Sequence, residues 1–276
     1  MVVVSTEGVI IVDSPPGLRR VLPAALGNIT HIPVTHMVYT HFHWDHIGAA
    51  SLFGNNITVI AQEETAQNLI QLEDSDRPLP TITFPHNYEL TVGNQTLELS
   101  YKGEMHADGN IFVYAPVQKV LMLTDFLYPG WAPSARFGVT KNVLSYVRTH
   151  DKVLAYDFDY FVGVHVGLEG NRSDVLIQQE YVLDLRANCI STIREFAGNG
   201  TLYGCPDGYT LGQAENPRNL YAFGRRLFEL LAVSCASRTS EKWVDRLTGA
   251  DVVGYDNANI MIESLRLESG IAPTVF

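Results

Sequence analysis

Residues 40–46 read Thr40-His41-Phe42-His43-Trp44-Asp45-His46, and this stretch decides how the rest of the chain is read. Three imidazoles and a carboxylate crowd into it. Packing so many titratable groups together is costly unless something neutralises or ligates them. At the overall frequencies of His and Asp, such a pattern arises by chance in roughly one chain of this size in 2,000. Imidazole and carboxylate donors suit Zn²⁺, and also Fe or Mn. His41, His43 and Asp45 stand at i, i+2 and i+4, so in an extended segment leaving a strand they share one face. Residues 34–40 (VTHMVYT) are β-branched and aromatic and predict that strand. Residues 47–53 predict a short helix, so His46 falls where it begins.

Working outward, residues 8–13 (GVIIVD) form an apolar run closed by Ser14-Pro15-Pro16, which reads as a buried strand and turn. Residues 18–26 predict a helix, with Pro23 weakening it. A strand is expected at 58–61, a helix at 63–72 and a loop at 74–80. Residues 88–101 hold two alternating runs about Gly93-Asn94, a hairpin signal. Short strands follow at 111–115 and 120–124, a helix at 139–156 and a strand at 160–164. From residue 173 the apolar spacing turns helical, at 174–196 and 220–233, around a glycine-rich stretch. Mixed strands, helices and hairpins predict two mixed sheets between helical layers, with a helical C-terminal extension.

The 276 residues carry 19 basic and 30 acidic side chains, a net charge of −11. That balance disfavours a nucleic-acid partner, which needs clustered Lys and Arg, and docking on an anionic membrane. No apolar run is long enough to span a bilayer. Cys189, Cys205 and Cys235 form no disulfide framework but leave room for one pair. Met1 is followed by Val2-Val3-Val4 with no basic lead, which points to the cytoplasm. Five Asn-x-Ser/Thr triplets, at Asn28, Asn56, Asn94, Asn171 and Asn199, point instead to a secreted glycoprotein.

The histidine segment resembles the H-x-H-x-D-H signature of the metallo-β-lactamase superfamily. The likeness continues at 103–110 (GEMHADGN), at Leu123-Thr124-Asp125 and at Val162-Gly163-Val164-His165, covering roughly residues 8–168. The resemblance implies an αββα sandwich, with a metal-binding core over 1–170 and a mostly helical extension over 171–276. It implies that His41, His43 and His106 hold one Zn²⁺, that Asp45, His46 and His165 hold a second, and that Asp125 bridges them. Two dications lower the pKa of a bound water so that it is hydroxide near neutral pH; Asp45 would orient that water and take its proton. His43 sets the chain apart from the flavodiiron branch, where this position is acidic. Asp125 excludes the β-lactamases that carry Cys there. Members usually have a further strand before the first apolar run, whereas only residues 1–7 precede it here, so residues 1–4 form a stump or the strand is truncated.

Tyr128, three residues after Asp125, resembles a lactonase tyrosine that donates to the substrate carbonyl; packing is the competing reading. Trp131 reads as packing, and Phe42 and Trp44 as support for the loop. His31, His36, His86 and His150 read as ordinary polar residues. Asp108 reads as an acceptor behind His106 or a turn residue, and Arg225 and Arg226 as a solvated helix face. The expected function is a dinuclear zinc hydrolase opening an ester, lactone or amide of a small organic substrate, with homo-oligomerisation open. The alternatives are a glyoxalase II-like thioesterase, a mononuclear iron sulfur dioxygenase on His41, His106 and Asp125, a phosphodiesterase or nuclease, a true β-lactamase, and a metal-binding protein that keeps the fold without catalysis.

Overall fold

In the computed structural model, which describes residues 1–166, 169–198 and 219–271, the apolar run GVIIVD contributes strand β2 (Val9–Val12). It lies inside a five-stranded sheet with β1 (Val2–Val4), β3 (Val34–Val38), β4 (Thr58–Gln62) and β5 (Ile82–Phe84), in the order β1-β2-β3-β4-β5. β1 is antiparallel to β2, and the other neighbours are parallel. The run lacks polar alternation because both its faces are covered, as in parallel sheets generally. Ile10 and Val12 face a second sheet, while Val9 and Ile11 face helices. Those helices are α1 (Leu22–Ile29), α2 (Trp44–Ile47) and α3 (Glu63–Leu72), which contribute Leu26, Ile47 and Leu69. α1 starts later than the spacing predicts. Pro23 lies in its first turn, where a missing N–H costs nothing, so it opens the helix instead of weakening it.

The second sheet has six strands, in the order β11-β10-β9-β8-β7-β6. β6 (Asn87–Val92) and β7 (Gln95–Ser100) form the expected hairpin, turning at Gly93, whose φ of 54° suits glycine. β8 (Phe112–Ala115) and β9 (Val120–Met122) continue antiparallel, β10 (Tyr160–Val162) runs parallel to β9, and β11 (Glu169–Gly170) closes the edge. Leu90, Leu97, Leu99, Val113 and Met122 meet Ile10, Val12, Val38 and Ile60 between the sheets. Two mixed sheets with helices and a helical C-terminal part make the expected α/β sandwich. β3, β9 and β10 each end three residues before His41, Asp125 and His165, so these side chains project from the C-terminal ends of the strands.

The chain divides into two compact units, residues 1–125 with 155–172, and 126–154 with 173–276. Residues 126–154, grouped with the core on sequence, thus join the C-terminal helices. Asn257 ties them there: its Oδ1 accepts from Phe137 N–H at 2.9 Å and its Nδ2 donates to the Pro133 carbonyl at 2.9 Å. This second unit holds α4 (Val143–Leu154), α5 (Arg172–Gly198, from Ser173 on), α6 (Leu220–Trp243) and α7 (Ala250–Ser269). α6 runs ten residues beyond the spacing signal, and α7 carried none that stood out. A disulfide joins Cys189 of α5 to Cys235 of α6. Cys205, Asn199 and most of the glycine-rich stretch lie outside the described residues. Among the described residues, no helix is long and apolar enough to cross a membrane.

His150, read on sequence as an ordinary polar residue, is fully buried in the core. Nδ1 lies 3.1 Å from the Val147 carbonyl and Nε2 lies 3.3 Å from Gln178 Nε2, a neutral imidazole donating at one nitrogen and accepting at the other. Burial depresses its pKa to about 4. The unfolded chain takes up this proton near the ordinary imidazole value of 6.5, and the folded chain only near 4. Stability from this group is therefore complete above pH 6.5 and falls as pH drops toward 4, by about 3 kcal/mol. Urea titrations of His150→Gln should show a flatter stability profile than wild type across this window; parallel profiles would contradict the assignment.

Candidate metal centre

The segment 40–46 is not an extended strand. β3 ends at Val38, residues 40–42 bend, and α2 begins at Trp44 with His43 as its extended N-cap (φ −63°, ψ 144°). The expectation that His41, His43 and Asp45 share one face therefore fails: the first turn of α2 rotates Asp45 away from the two histidines. Arg77, held by Asp74 at 2.7 Å, donates to the Phe42 carbonyl at 2.7 Å and pins the bend. Phe42 packs on the core beneath, as expected of a support residue, whereas Trp44 is exposed.

Seven side chains converge in three overlapping groups: His41, His43 and His106; His41, His46 and Asp125; and Asp45, His46 and His165. Within each group the potential ligand atoms lie within 4.8 Å of one another. His106 Nε2 is 3.1 Å from His43 Nδ1. Asp125 Oδ2 lies 3.7 Å from His41 Nε2, 3.7 Å from His106 Nε2 and 3.0 Å from His46 Nε2, while Oδ1 lies 2.6 Å from His165 Nε2. One carboxylate thus touches both the His106 side and the His165 side. Asp45 stands at the open side, half exposed, 3.6 Å from His46 Nε2 and 3.7 Å from His165 Nε2. Nε2 of His41, Nε2 of His46 and Oδ2 of Asp125 are buried yet make no hydrogen bond. Buried polar atoms are normally paired, so lone pairs turned inward in this way fit divalent metal ions.

The residues behind the ligands fix their orientation. Asp13, directly after β2, accepts Thr40 N–H at 2.9 Å and the Thr40 hydroxyl at 2.7 Å, and lies 3.4 Å from His46 Nδ1. Thr124 donates its hydroxyl to Thr40 Oγ1 at 3.0 Å, and Asn110 Nδ2 donates to Thr124 Oγ1 at 3.1 Å. Both hydroxyl protons are thereby committed, so the oxygens 3.1 and 3.3 Å from His41 Nδ1 can only accept. These two accepting oxygens lie nearer than the Asn110 Nδ2 donor at 3.4 Å, so His41 carries its proton on Nδ1 and turns the Nε2 lone pair to the centre, the usual arrangement behind a metal-bound imidazole. Glu64, in the first turn of α3, accepts from the Tyr101 hydroxyl at 2.7 Å and Gly109 N–H at 3.1 Å, and so clamps the His106 loop. Gly109 has φ 70°, and a Cβ there would meet Thr65 Oγ1 at 2.4 Å. Asp13, Asp125 and His165 all have positive φ (59°, 59° and 68°), a clustering of backbone strain typical of functional sites.

Burial pushes His41 well below its usual range and His106 down to about 4, so both are neutral and able to ligate. For His46, burial acts downward but the Asp125 and Asp13 carboxylates outweigh it and hold the pKa up at about 10. For Asp125, burial acts upward but is overcome by the bond from His165 and the neighbouring His46 and His106 imidazoles, which hold it well below the carboxylate range. The centre therefore calls for positive charge, as dications supply. Asp13, Thr40, Thr124, Asn110 and Glu64 escaped the sequence reading. Asp13 left a signal there as a charged residue ending a wholly apolar strand, and Asn110 as the last position of the 103–110 motif. Asp13→Asn keeps the positive-φ backbone but removes the charge behind His46. It should weaken metal affinity about 10- to 100-fold in chelator competition; unchanged affinity would reduce Asp13 to a turn residue.

The metallo-beta-lactamase superfamily model matches residues 1–176. The chain belongs to this superfamily. Within it, the chain is 29% identical over 165 residues to the 2,4-dinitroanisole O-demethylase subunit alpha of Nocardioides sp. (strain JS1661), covering 57% of this chain. The match spans about half of that relative, 49%. A metallo-beta-lactamase from Pontibacter korlensis shares the fold with a TM-score of 0.56 and 23% identity, covering 65% of this chain and 84% of that one. The metallo-beta-lactamase IND-7 gives a TM-score of 0.55 and 22% identity over the same shares, 65% and 84%.

The other residues singled out are not all drawn into the superfamily centre. Tyr128 belongs to the second unit, where it is 2% exposed and its hydroxyl lies 3.4 Å from Ser134 Oγ. Trp131, in the same unit, bridges to Thr248. Arg225 and Arg226 pair with Glu229 along α6. His36 bonds Thr35 Oγ1 at 2.8 Å.

Proposed function

We propose that the chain is a dinuclear zinc hydrolase that cleaves an ester, lactone or amide of a small, uncharged organic substrate. The observation that carries this reading is the position of Asp125, whose two oxygens reach separate groups of histidines. A carboxylate so placed can offset the repulsion between two neighbouring dications. Such metals would lower the pKa of water and polarise a carbonyl oxygen. His41, His43 and His106 would hold one, and Asp45, His46 and His165 the other. Asp45, at the open side, accepts the proton of the attacking water. The water oxygen bonds to the acyl carbon, the acyl–oxygen bond (acyl–nitrogen in an amide) breaks, and Asp45 returns the proton to the leaving oxygen or nitrogen. A net charge of −11 supports a neutral small molecule over a nucleic acid or membrane surface. The disulfide and the exposed Asn28, Asn56, Asn94 and Asn171 support an oxidising compartment and glycosylation.

The test is metal analysis with a panel of lactones, esters, lactams, thioesters and bis-(nitrophenyl) phosphate. About two zinc per chain with carbonyl turnover is expected; one iron per chain would replace the hydrolase with a dioxygenase. The Nocardioides relative, an O-demethylase subunit, places 2,4-dinitroanisole, an aryl ether, on the same panel. Tyr128→Phe should lower kcat on carbonyl substrates on the order of 10²-fold; unchanged kinetics would return Tyr128 to packing.

A further inference from the structure

A cavity of about 400 Å³ adjoins the Asp45, His46 and His165 group, within the first unit. Those three residues and Asp13 make one part of its wall polar. The remainder is largely aliphatic: Ile11 and Val12 of β2, Met122 of β9, Val164 before His165, and Leu18 and Leu22 from the segment after Asp13. Apart from the His46 and His165 imidazoles beside the reacting centre, no aromatic ring lines it, and no Lys or Arg does. The aliphatic part therefore offers no ring on which a flat aromatic tail could stack. The Met1 ammonium, which also lines it, donates to the Val12 carbonyl at 2.8 Å, so the aliphatic part suits an uncharged tail better than a phosphate or carboxylate. An apolar chamber with its polar groups gathered beside the reacting centre has the form and size of a small-molecule site.

We infer that this cavity holds an unbranched aliphatic tail on the acyl side of the substrate, so that the enzyme acts on medium-chain acyl esters or lactones. This rests on the hydrolase reading and adds the substrate class to it. The tail lies along β2 and β9 while the scissile carbonyl stays beside Asp45 and His165. The reaction is the acyl–oxygen cleavage already described, and the tail contributes by leaving water.

Two measurements on the metal-loaded protein test this. In a series of 4-nitrophenyl esters from acetate to decanoate, kcat/KM should rise about fourfold per added methylene until the cavity is filled. Leu18→Trp and Leu22→Phe, which narrow the cavity, should flatten that rise, lowering decanoate turnover several times more than acetate turnover. Separately, 1-hexanol, 1-octanol and 1-decanol should bind with affinity rising with length by calorimetry, and less so in both variants. Hydrolysis of the esters with no dependence on chain length, or with a rise that neither variant alters, would overturn the tail site and leave the hydrolase standing. Length-dependent alkanol binding without turnover of any ester or lactone would keep the site and overturn the reaction.

Discussion

Asp125→Asn is expected to lower kcat/KM by about 10²- to 10⁴-fold, the several kcal/mol of transition-state stabilisation a metal site supplies. Asparagine is nearly the same size and tolerates the φ of 59° at this position, so backbone and packing are preserved. The change removes a negative charge that lies between His41, His46, His106 and His165. Without it, two dications would face each other unscreened, so metal analysis of the variant should show the stoichiometry falling from about two toward one. Wild-type stoichiometry with wild-type rates would mean that Asp125 bridges nothing. Melting temperature is the control, since a collapse of the fold would remove activity for a different reason.

The second large effect concerns stability. Cys189 and Cys235 are separated by 46 positions, and closing a loop of that length removes about 4 kcal/mol of chain entropy from the unfolded state. Both residues are fully buried between α5 and α6. The Cys189→Ala, Cys235→Ala double variant should melt about 10 °C below the oxidised wild type. Reductant should bring the wild type down to the variant and leave the variant where it is. Equal melting temperatures with and without reductant would show that the bridge does not form or does not constrain the unfolded chain.

The legible part of this protein was its strands and its ligands. GVIIVD could be read as a buried strand because four consecutive apolar residues need two covered faces, and the sandwich provides them. The hairpin at Gly93 and the helix over 63–72 were equally local, each written in turn chemistry or spacing. β5, β11 and α7 were not anticipated. β5 and β11 are three and two residues long and are held by pairing with distant strands rather than by their own pattern. Residues 126–154 were assigned by proximity in the chain, whereas Asn257, more than a hundred residues away, decides where they pack.

The amino-acid sequence by itself determined the donor atoms of the centre, because ligand chemistry resides in side-chain type, and seven suitable side chains occur in recognisable local contexts. Spacing alone did not show how those donors group, and only the resemblance to the superfamily implied it. His41, His43 and Asp45 are evenly spaced along the chain, yet a bend and one helical turn send Asp45 to the side of His165, which arrives from a strand more than a hundred residues later. Nor could it reveal Asp13, Thr40, Thr124 and Asn110 as the network that sets the His41 tautomer. Each is an ordinary polar residue in its own segment. Their role depends on hydrogen bonds that form only when the ends of β2, β3 and β9 meet, and only the tertiary structure brings those ends together.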